Sequence, residues 1–237
     1  MSFLAALLRS GLPQHCALCA AASGGALVCD DCASDLPAIG CSCPICALPA
    51  RDHAICGGCV RAPPPFAETI AALVYAFPVD RLIQRIKYRG DIALVDWAGA
   101  ALAAAVRARL AVRDPARRPR RIVALPLSVS RQRERGFNQA TEIAARVASA
   151  TAIPLFAPLE RVRAGPPQAA LPWEARVGNV RGAFAVRRDV RDAHVALVDD
   201  VMTTGATLAE ASRALLAAGA RRVECWVVAR TPSPDGA

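Results

Sequence analysis

Eight cysteines near the amino terminus restrict this 237-residue chain more tightly than any other feature. Cys16, Cys19, Cys29 and Cys32 are followed by Cys43, Cys46, Cys56 and Cys59. Each quartet is two Cys-x-x-Cys pairs separated by nine residues, and the second quartet is the first displaced by 27 positions. One Cys-x-x-Cys turn presents two thiolates to a tetrahedral cation, and two such turns complete a closed structural zinc site. A segment this short cannot hold a fold by apolar burial alone, so the metal has to staple it. The repeat favours two sequential sites, while an interleaved cross-brace of the same eight residues stays open. Cys41 falls outside the repeat, and Cys225 sits in a late apolar run as a small core residue. His15 and His53 adjoin the quartets, but four thiolates per site suffice without them.

Disulfides are the competing use of these thiols. The first residues lack a basic start and a cleavage site, which points to a cytoplasmic chain with reduced cysteines. Phe3–Leu8 is apolar but far too short to span a bilayer; a docking helix is the expectation for Met1–Leu12, and no membrane span is expected. Pro63, Pro64 and Pro65 mark a stiff linker. Two domains follow, a cysteine-rich module over 1–62 and a larger unit over 63–237, for which 54% apolar composition supplies a full core.

The second strong signal is His194-Val-Ala-Leu-Val-Asp-Asp-Val-Met-Thr-Thr-Gly-Ala-Thr-Leu208. Val195–Val198 is a continuous apolar run, as in a central strand of a parallel sheet covered on both faces. Asp199 and Asp200 stand at its carboxyl end, where open α/β sheets place their ligands. Adjacent carboxylates there suit two ribose hydroxyls, directly or through a magnesium ion that prefers oxygen donors. Thr203, Thr204, Gly205, Ala206 and Thr207 then offer hydroxyls and unencumbered amides where a helix begins, which is a cradle for a monophosphate. The stretch reads as a site for phosphoribosyl pyrophosphate (PRPP), with Asp199 and Asp200 as the catalytic pair.

The remaining segments surround that motif. Strands are expected at about 68–75, 121–125, 155–159, 182–186 and 223–229, with helices over 79–88 and 92–110, after Phe137, and over 206–218. Their alternation implies a mostly parallel sheet flanked by helices. Lys87 is the only lysine among 29 basic residues, so a compact ammonium is used there, and contact with a phosphate is expected. A loop over Arg131–Gln139 would present backbone amides and Arg135 to a pyrophosphate leaving group; a capped helix start at Asn138 and Gln139 is the plainer reading. Arg161–Val180 is long, polar and aperiodic, as in a lid that shields a reacting ribose from water. The net charge of +9 would draw nucleic-acid backbones in a salt-dependent way, although the Arg117–Arg121 cluster reads as a solvated loop.

Taken in order, the paired cysteine motifs, Lys87-Tyr-Arg-Gly90, Pro126-Leu-Ser128, Arg135-Gly-Phe-Asn-Gln139, Pro167-Gln168 with Arg176 and Asn179–Phe184, and the acidic-pair loop resemble the ComF-type competence protein family. The resemblance implies an amino-terminal zinc module joined to a type I phosphoribosyltransferase fold. It also implies contact with single-stranded DNA, a place in natural transformation, and partnership with competence helicase or recombination proteins. Purine-salvage enzymes of that fold usually carry aspartate where Thr203 stands, so a purine acceptor is not favoured. Two other functions stay open: transfer to a small-molecule acceptor, and a non-catalytic regulator in which PRPP biases partner binding.

Overall fold

The computed structural model describes residues 15–163 and 180–233. The expected docking helix, most of the expected lid, and Arg176 and Asn179 lie outside the described residues.

The amino-terminal repeat of sequence is a repeat of structure. Ala20 and Ala47, 27 positions apart, both take left-handed backbone (φ 60° and 57°). Each donates its amide to the carbonyl of the first cysteine of its quartet, Ala20 to Cys16 and Ala47 to Cys43, both at 2.9 Å. Short helices α1 (Asp30–Ser34) and α2 (Gly57–Arg61) start immediately after the equivalent cysteines Cys29 and Cys56. Two tight turns and one helical start therefore recur in each unit, which is what four converging thiols require.

Beyond the prolines the chain alternates: β1 (Thr69–Val74), α3 (Val79–Arg89), α4 (Ile92–Ala111), β2 (Arg121–Ala124), α5 (Val129–Arg135), α6 (Gln139–Thr151), β3 (Leu159–Arg161), β4 (Phe184–Val186), β5 (His194–Met202), α7 (Ala206–Ala217) and β6 (Arg222–Arg230). Four strands form one parallel sheet in the order β1-β6-β5-β2. β5 and β6 are central, and their near-continuous apolar runs answer to burial on both faces. Successive side chains alternate accordingly. Ala196 and Val198 join a core with Leu82, Ile86, Leu102 and Ile143 from α3, α4 and α6, whereas Val195 and Leu197 join Leu208 and Leu215 of α7.

Polar residues place the helix ends. Asp91 caps α4 by accepting from Leu94 N, and Ser128 and Asn138 cap α5 and α6 by accepting from Arg131 N and Ala140 N. α4 and α6 approach so closely at Gly99 that a Cβ there would lie 2.7 Å from Arg146 Cβ. Only glycine fits that crossing.

Three sequence expectations are corrected. Val129–Arg135 is a helix, because Ser128 caps it and Gly136 (φ 76°) ends it, so no amide-presenting loop forms there. The strands expected at 155–159 and 182–186 do not enter the main sheet as such. Leu155 makes a single bridge to Ile122, and β3 and β4 pair antiparallel as a separate two-stranded hood. The motif strand runs past Val198 to Met202, with Val201 and Met202 paired to Ala229 and Arg230, so the acidic pair lies within the ladder.

Candidate functional site

Because side chains alternate along β5, its two aspartates leave on opposite faces. Asp200 is buried on the α3 and α6 side, where Lys87 Nζ stands 3.1 Å from its Oδ2 and Gln139 Nε2 donates to the same oxygen at 3.2 Å. Asp199 is half-buried, accepts the Asp200 amide at 2.9 Å, and faces the charge of Arg161 on the hood. Burial and the neighbouring Asp200 push the Asp199 carboxyl up to about 7, against the pull of Lys87. Burial opposes the charge on Lys87, yet Asp200 and Asp199 hold its pKa above the ordinary lysine value.

Thr203, Thr204 and Gly205 make the turn into α7. Gly205 takes the left-handed N-cap position (φ 79°), which a side chain would strain. Thr204 Oγ1 accepts from Ala206 N at 3.2 Å. Ala206 and Thr207 form the first helical positions, and the first turn of a helix carries the positive end of its dipole. Two carboxylates, one ammonium and this turn thus follow one another along the carboxyl half of β5 and the start of α7. Such a set holds a polyol through the acids and an anionic oxygen cluster through the turn.

Lys87 meets Asp200 in this structure, so its ammonium orders a carboxylate at the site. Arg135, the last residue of α5, is half-buried, and its guanidinium makes no hydrogen bond or ion pair with a described residue. Three further residues belong to this neighbourhood. Gln139 is 2% exposed, and its Oε1 is a buried acceptor without a partner. Arg161 has its pKa lowered by burial and by Arg131, with Asp199 opposing. Arg230, at the end of β6, donates from Nη1 to the carbonyls of Met202 (2.9 Å), Thr203 and Thr231 (2.9 Å). In the sequence Gln139 stands at a helix start and closes the Arg135-Gly-Phe-Asn-Gln139 element, with nothing there to pair it with Asp200, and Arg230 lies beyond any recognised motif.

The eight repeat cysteines form two sequential clusters, Cys16/Cys19/Cys29/Cys32 and Cys43/Cys46/Cys56/Cys59, each with its sulfurs within 4.8 Å of one another. The sulfurs of Cys19 and Cys29 are 3.7 Å apart and those of Cys46 and Cys56 3.6 Å. A tetrahedron with Zn–S of about 2.3 Å has edges of about 3.8 Å, so both clusters fit zinc. Burial works against ionising Cys43, but the amides of Cys56, Cys46 and Ile45 bring it down to about 7. Cys46 is pushed up to about 11, first by burial, with Cys56 and Cys43 adding to the rise. A divalent cation among four such sulfurs relieves that competition. Cys41 and both neighbouring histidines stand outside the clusters, and Cys225 is fully buried in β6. Among the described residues no helix is long and apolar enough to cross a membrane.

Known proteins share these two parts. A model of the phosphoribosyl transferase domain matches residues 95–236, and a model of the double zinc ribbon domain matches residues 7–60. The chain is 35% identical over 193 residues to the DNA utilization protein YhgH of Salmonella typhi, covering 80% of this chain and 84% of that one. It is 33% identical over 184 residues to competence protein F of Haemophilus influenzae, covering 74% and 78%. With competence protein ComFC of Bacillus subtilis it shares 28% identity over 203 residues, covering 81% and 79%.

Proposed function

Since this chain belongs to the ComF-type family, a double zinc ribbon joined to a phosphoribosyl transferase domain, we propose that it binds PRPP with magnesium and uses it while handling single-stranded DNA. The observation that carries the PRPP reading is Asp199 and Asp200 in the carboxyl half of β5, with Lys87 3.1 Å from Asp200 and the Thr203-Thr204-Gly205 turn opening α7 beyond them. In this reading Asp199 and Asp200 take the two ribose hydroxyls. Lys87 and Gln139 keep Asp200 in one orientation, and the amides of Thr204–Thr207 with their hydroxyls take the 5′-phosphate. Magnesium, when bound, neutralises the pyrophosphate and improves it as a leaving group. Arg135 and Arg161 add positive charge to that side. An incoming nitrogen nucleophile would then displace pyrophosphate at the anomeric carbon.

Two observations support the DNA half. The net charge is +9, carried almost wholly by guanidinium groups, and relatives are named for DNA utilization and competence. Work in natural transformation beside a helicase or a recombination protein follows as the cellular setting, with the zinc module in a structural role and the protein in the cytoplasm.

Calorimetry with magnesium PRPP, comparing wild type with the Asp199→Asn/Asp200→Asn double variant, tests the site. Binding by wild type and its loss in a folded double variant is expected. No binding by a zinc-replete wild type would overturn the PRPP reading. Repeating the titration with a single-stranded oligonucleotide at several salt concentrations tests the other half: a steep fall of affinity with salt is expected, and affinity indistinguishable from zero at low salt would exclude DNA as a ligand.

A further inference from the structure

Arg230 is a buried guanidinium, 4% exposed, with no carboxylate among its described partners. Two of its three nitrogens, Nε and Nη1, reach backbone carbonyls on different elements. Nε donates to Cys46 O at 2.7 Å, inside the second cysteine cluster. Nη1 donates to Met202 O at 2.9 Å and to Thr203 O, the two carbonyls that begin the turn in front of α7. Thr231 N closes the same point by donating to Met202 O at 3.0 Å. One rigid, planar group therefore spans from a metal-binding turn to the candidate phosphate loop.

The chemistry of the neighbour explains why the group is an arginine. Four thiolates around one divalent cation sum to a formal charge of about −2, and such a site buried beside the sheet favours a fixed cation. Cys43, Cys46 and Cys59 are each less than a tenth exposed, so this cluster is part of the interior. Thr69 ties it further to β1, with Oγ1 donating to Ile45 O at 2.6 Å and its amide donating to Pro44 O at 3.0 Å. The first cluster touches the transferase unit differently. Arg85 Nη1 donates to Ala17 O at 3.1 Å, and no described side chain carries that contact on to the loop.

We propose that Arg230 couples the second cysteine cluster to the Thr203–Thr207 loop, so that metal occupancy of Cys43/Cys46/Cys56/Cys59 sets the order of the loop and its affinity for a phosphorylated ribose. When the four sulfurs are held by a metal, the Cys46 carbonyl is fixed, Nε is fixed by it, and Nη1 holds the Met202 and Thr203 carbonyls in the orientation that turns the following amides outward. Coupling of two sites is reciprocal, so a ligand in the loop must tighten the metal in the second cluster as much as the metal tightens the ligand. The ligand half rests on the PRPP reading of the loop; the link from metal to loop order does not.

The test uses the full-length, metal-replete protein and two variants, Arg230→Lys and Arg230→Met. Lysine keeps the charge but lacks the planar fork that serves Cys46 O and the two loop carbonyls together. Amide hydrogen exchange across Met202–Leu208 reads loop order with no ligand present. Exchange there should rise at least tenfold in both variants, and in wild type after chelation of the metal, while the amides of α4 and α6 keep their protection. Unchanged loop exchange overturns the proposal, and so does a rise spread evenly over α4 and α6, which would mark Arg230 as merely structural.

A second measurement follows metal release to a colorimetric chelator. With magnesium PRPP present, one of the two metal equivalents should leave wild type about tenfold more slowly, and this protection should vanish in Arg230→Lys. Equal protection in wild type and Arg230→Lys also overturns the coupling. If wild type fails to bind PRPP by calorimetry, the PRPP reading fails by itself, and hydrogen exchange alone still decides whether Arg230 links metal to loop.

Discussion

The two ends of the central strands carry buried charge in opposite states. At the amino edge, Glu224 is fully buried in β6, yet every need of its carboxylate is met within the chain. Arg113 Nη1 lies 2.8 and 2.9 Å from its two oxygens, and His194 Nε2 lies 2.9 Å from Oε1. Arg113 is shared with Glu68 at 2.6 Å, and Arg109 completes the chain at 2.8 Å from Glu68. This network floors a cavity of about 790 Å³ rimmed by Arg117, Arg221 and Arg222. Burial pushes the Glu224 pKa up, but His194 and Arg113 outweigh it, and the net shift is down. At the carboxyl edge Asp199 is pushed up to about 7, and Gln139 Oε1 is a buried acceptor without a partner. At the amino edge the carboxylates of Glu224 and Glu68 are matched by arginines, although Arg113 Nη2, beside Glu68, and Arg118 Nε are buried without a hydrogen-bond partner. The carboxyl edge keeps negative charge that the fold does not neutralise, which is how a site differs from a brace.

The largest effect should come from breaking the brace. Glu224→Ala leaves Arg113 and His194 buried beside each other without their shared carboxylate, and removing one member of a buried ionic network costs about 3–5 kcal/mol. Urea unfolding at pH 7 reads it directly. A loss below about 1 kcal/mol would show that the amino-edge network is dispensable and would erase the contrast.

The carboxyl edge should respond with the opposite sign. Asp199→Asn removes a carboxylate whose ionised form is disfavoured by burial and by Asp200, so stability at pH 8 should rise by about 1–2 kcal/mol while PRPP binding is lost. The pH dependence separates the two ends more sharply. Glu224 has a lowered folded pKa, so its contribution is full above the ordinary glutamate value of about 4.3 and fades as pH falls below that. Asp199 has a raised folded pKa, so its contribution is full below about 3.9 and is lost as pH climbs to about 7. Urea midpoints from pH 3 to 8 should therefore lose their acid limb in Glu224→Gln and flatten between pH 4 and 7 in Asp199→Asn. Matching profiles in the two variants would sink the assignment.

The same division explains what could be read before the structure. The cysteine spacing defines its turns because two thiols per turn have few geometric solutions, and the equivalent left-handed Ala20 and Ala47 repeat that solution. Val195–Val198 reads as a central strand because burial on both faces demands an unbroken apolar run. Sequential pairing of the quartets, by contrast, is decided in three dimensions, where the sulfurs gather within each quartet. The short helix Val129–Arg135 has no apolar period to detect, because five of its seven residues are charged or amide-bearing. β3 and β4 have three residues each, too short for any alternation to register. Partners such as Gln139 for Asp200, or Arg230 for the loop carbonyls, depend on contacts 61 and 28 positions apart, which local chemistry does not encode.

The smallest stability change, and the most discriminating, belongs to Gln139→Leu. The wild-type amide gains one hydrogen bond to Asp200 Oδ2 at 3.2 Å but buries Oε1 without a partner. A hydrogen bond to a charged group contributes about 1.5–3 kcal/mol, and an unsatisfied buried acceptor costs about 1–3 kcal/mol, so removing both nearly cancels. Asp200 nevertheless loses one of the two groups that orient it, Lys87 being the other. Unfolding free energy should therefore stay within about 0.5 kcal/mol of wild type, while PRPP affinity falls about tenfold. A brace residue behaves in the reverse manner, losing stability and leaving binding intact. If Gln139→Leu lost stability by more than about 2 kcal/mol with unchanged PRPP affinity, Gln139 would belong with the amino-edge network in kind, and the carboxyl edge would be a second brace.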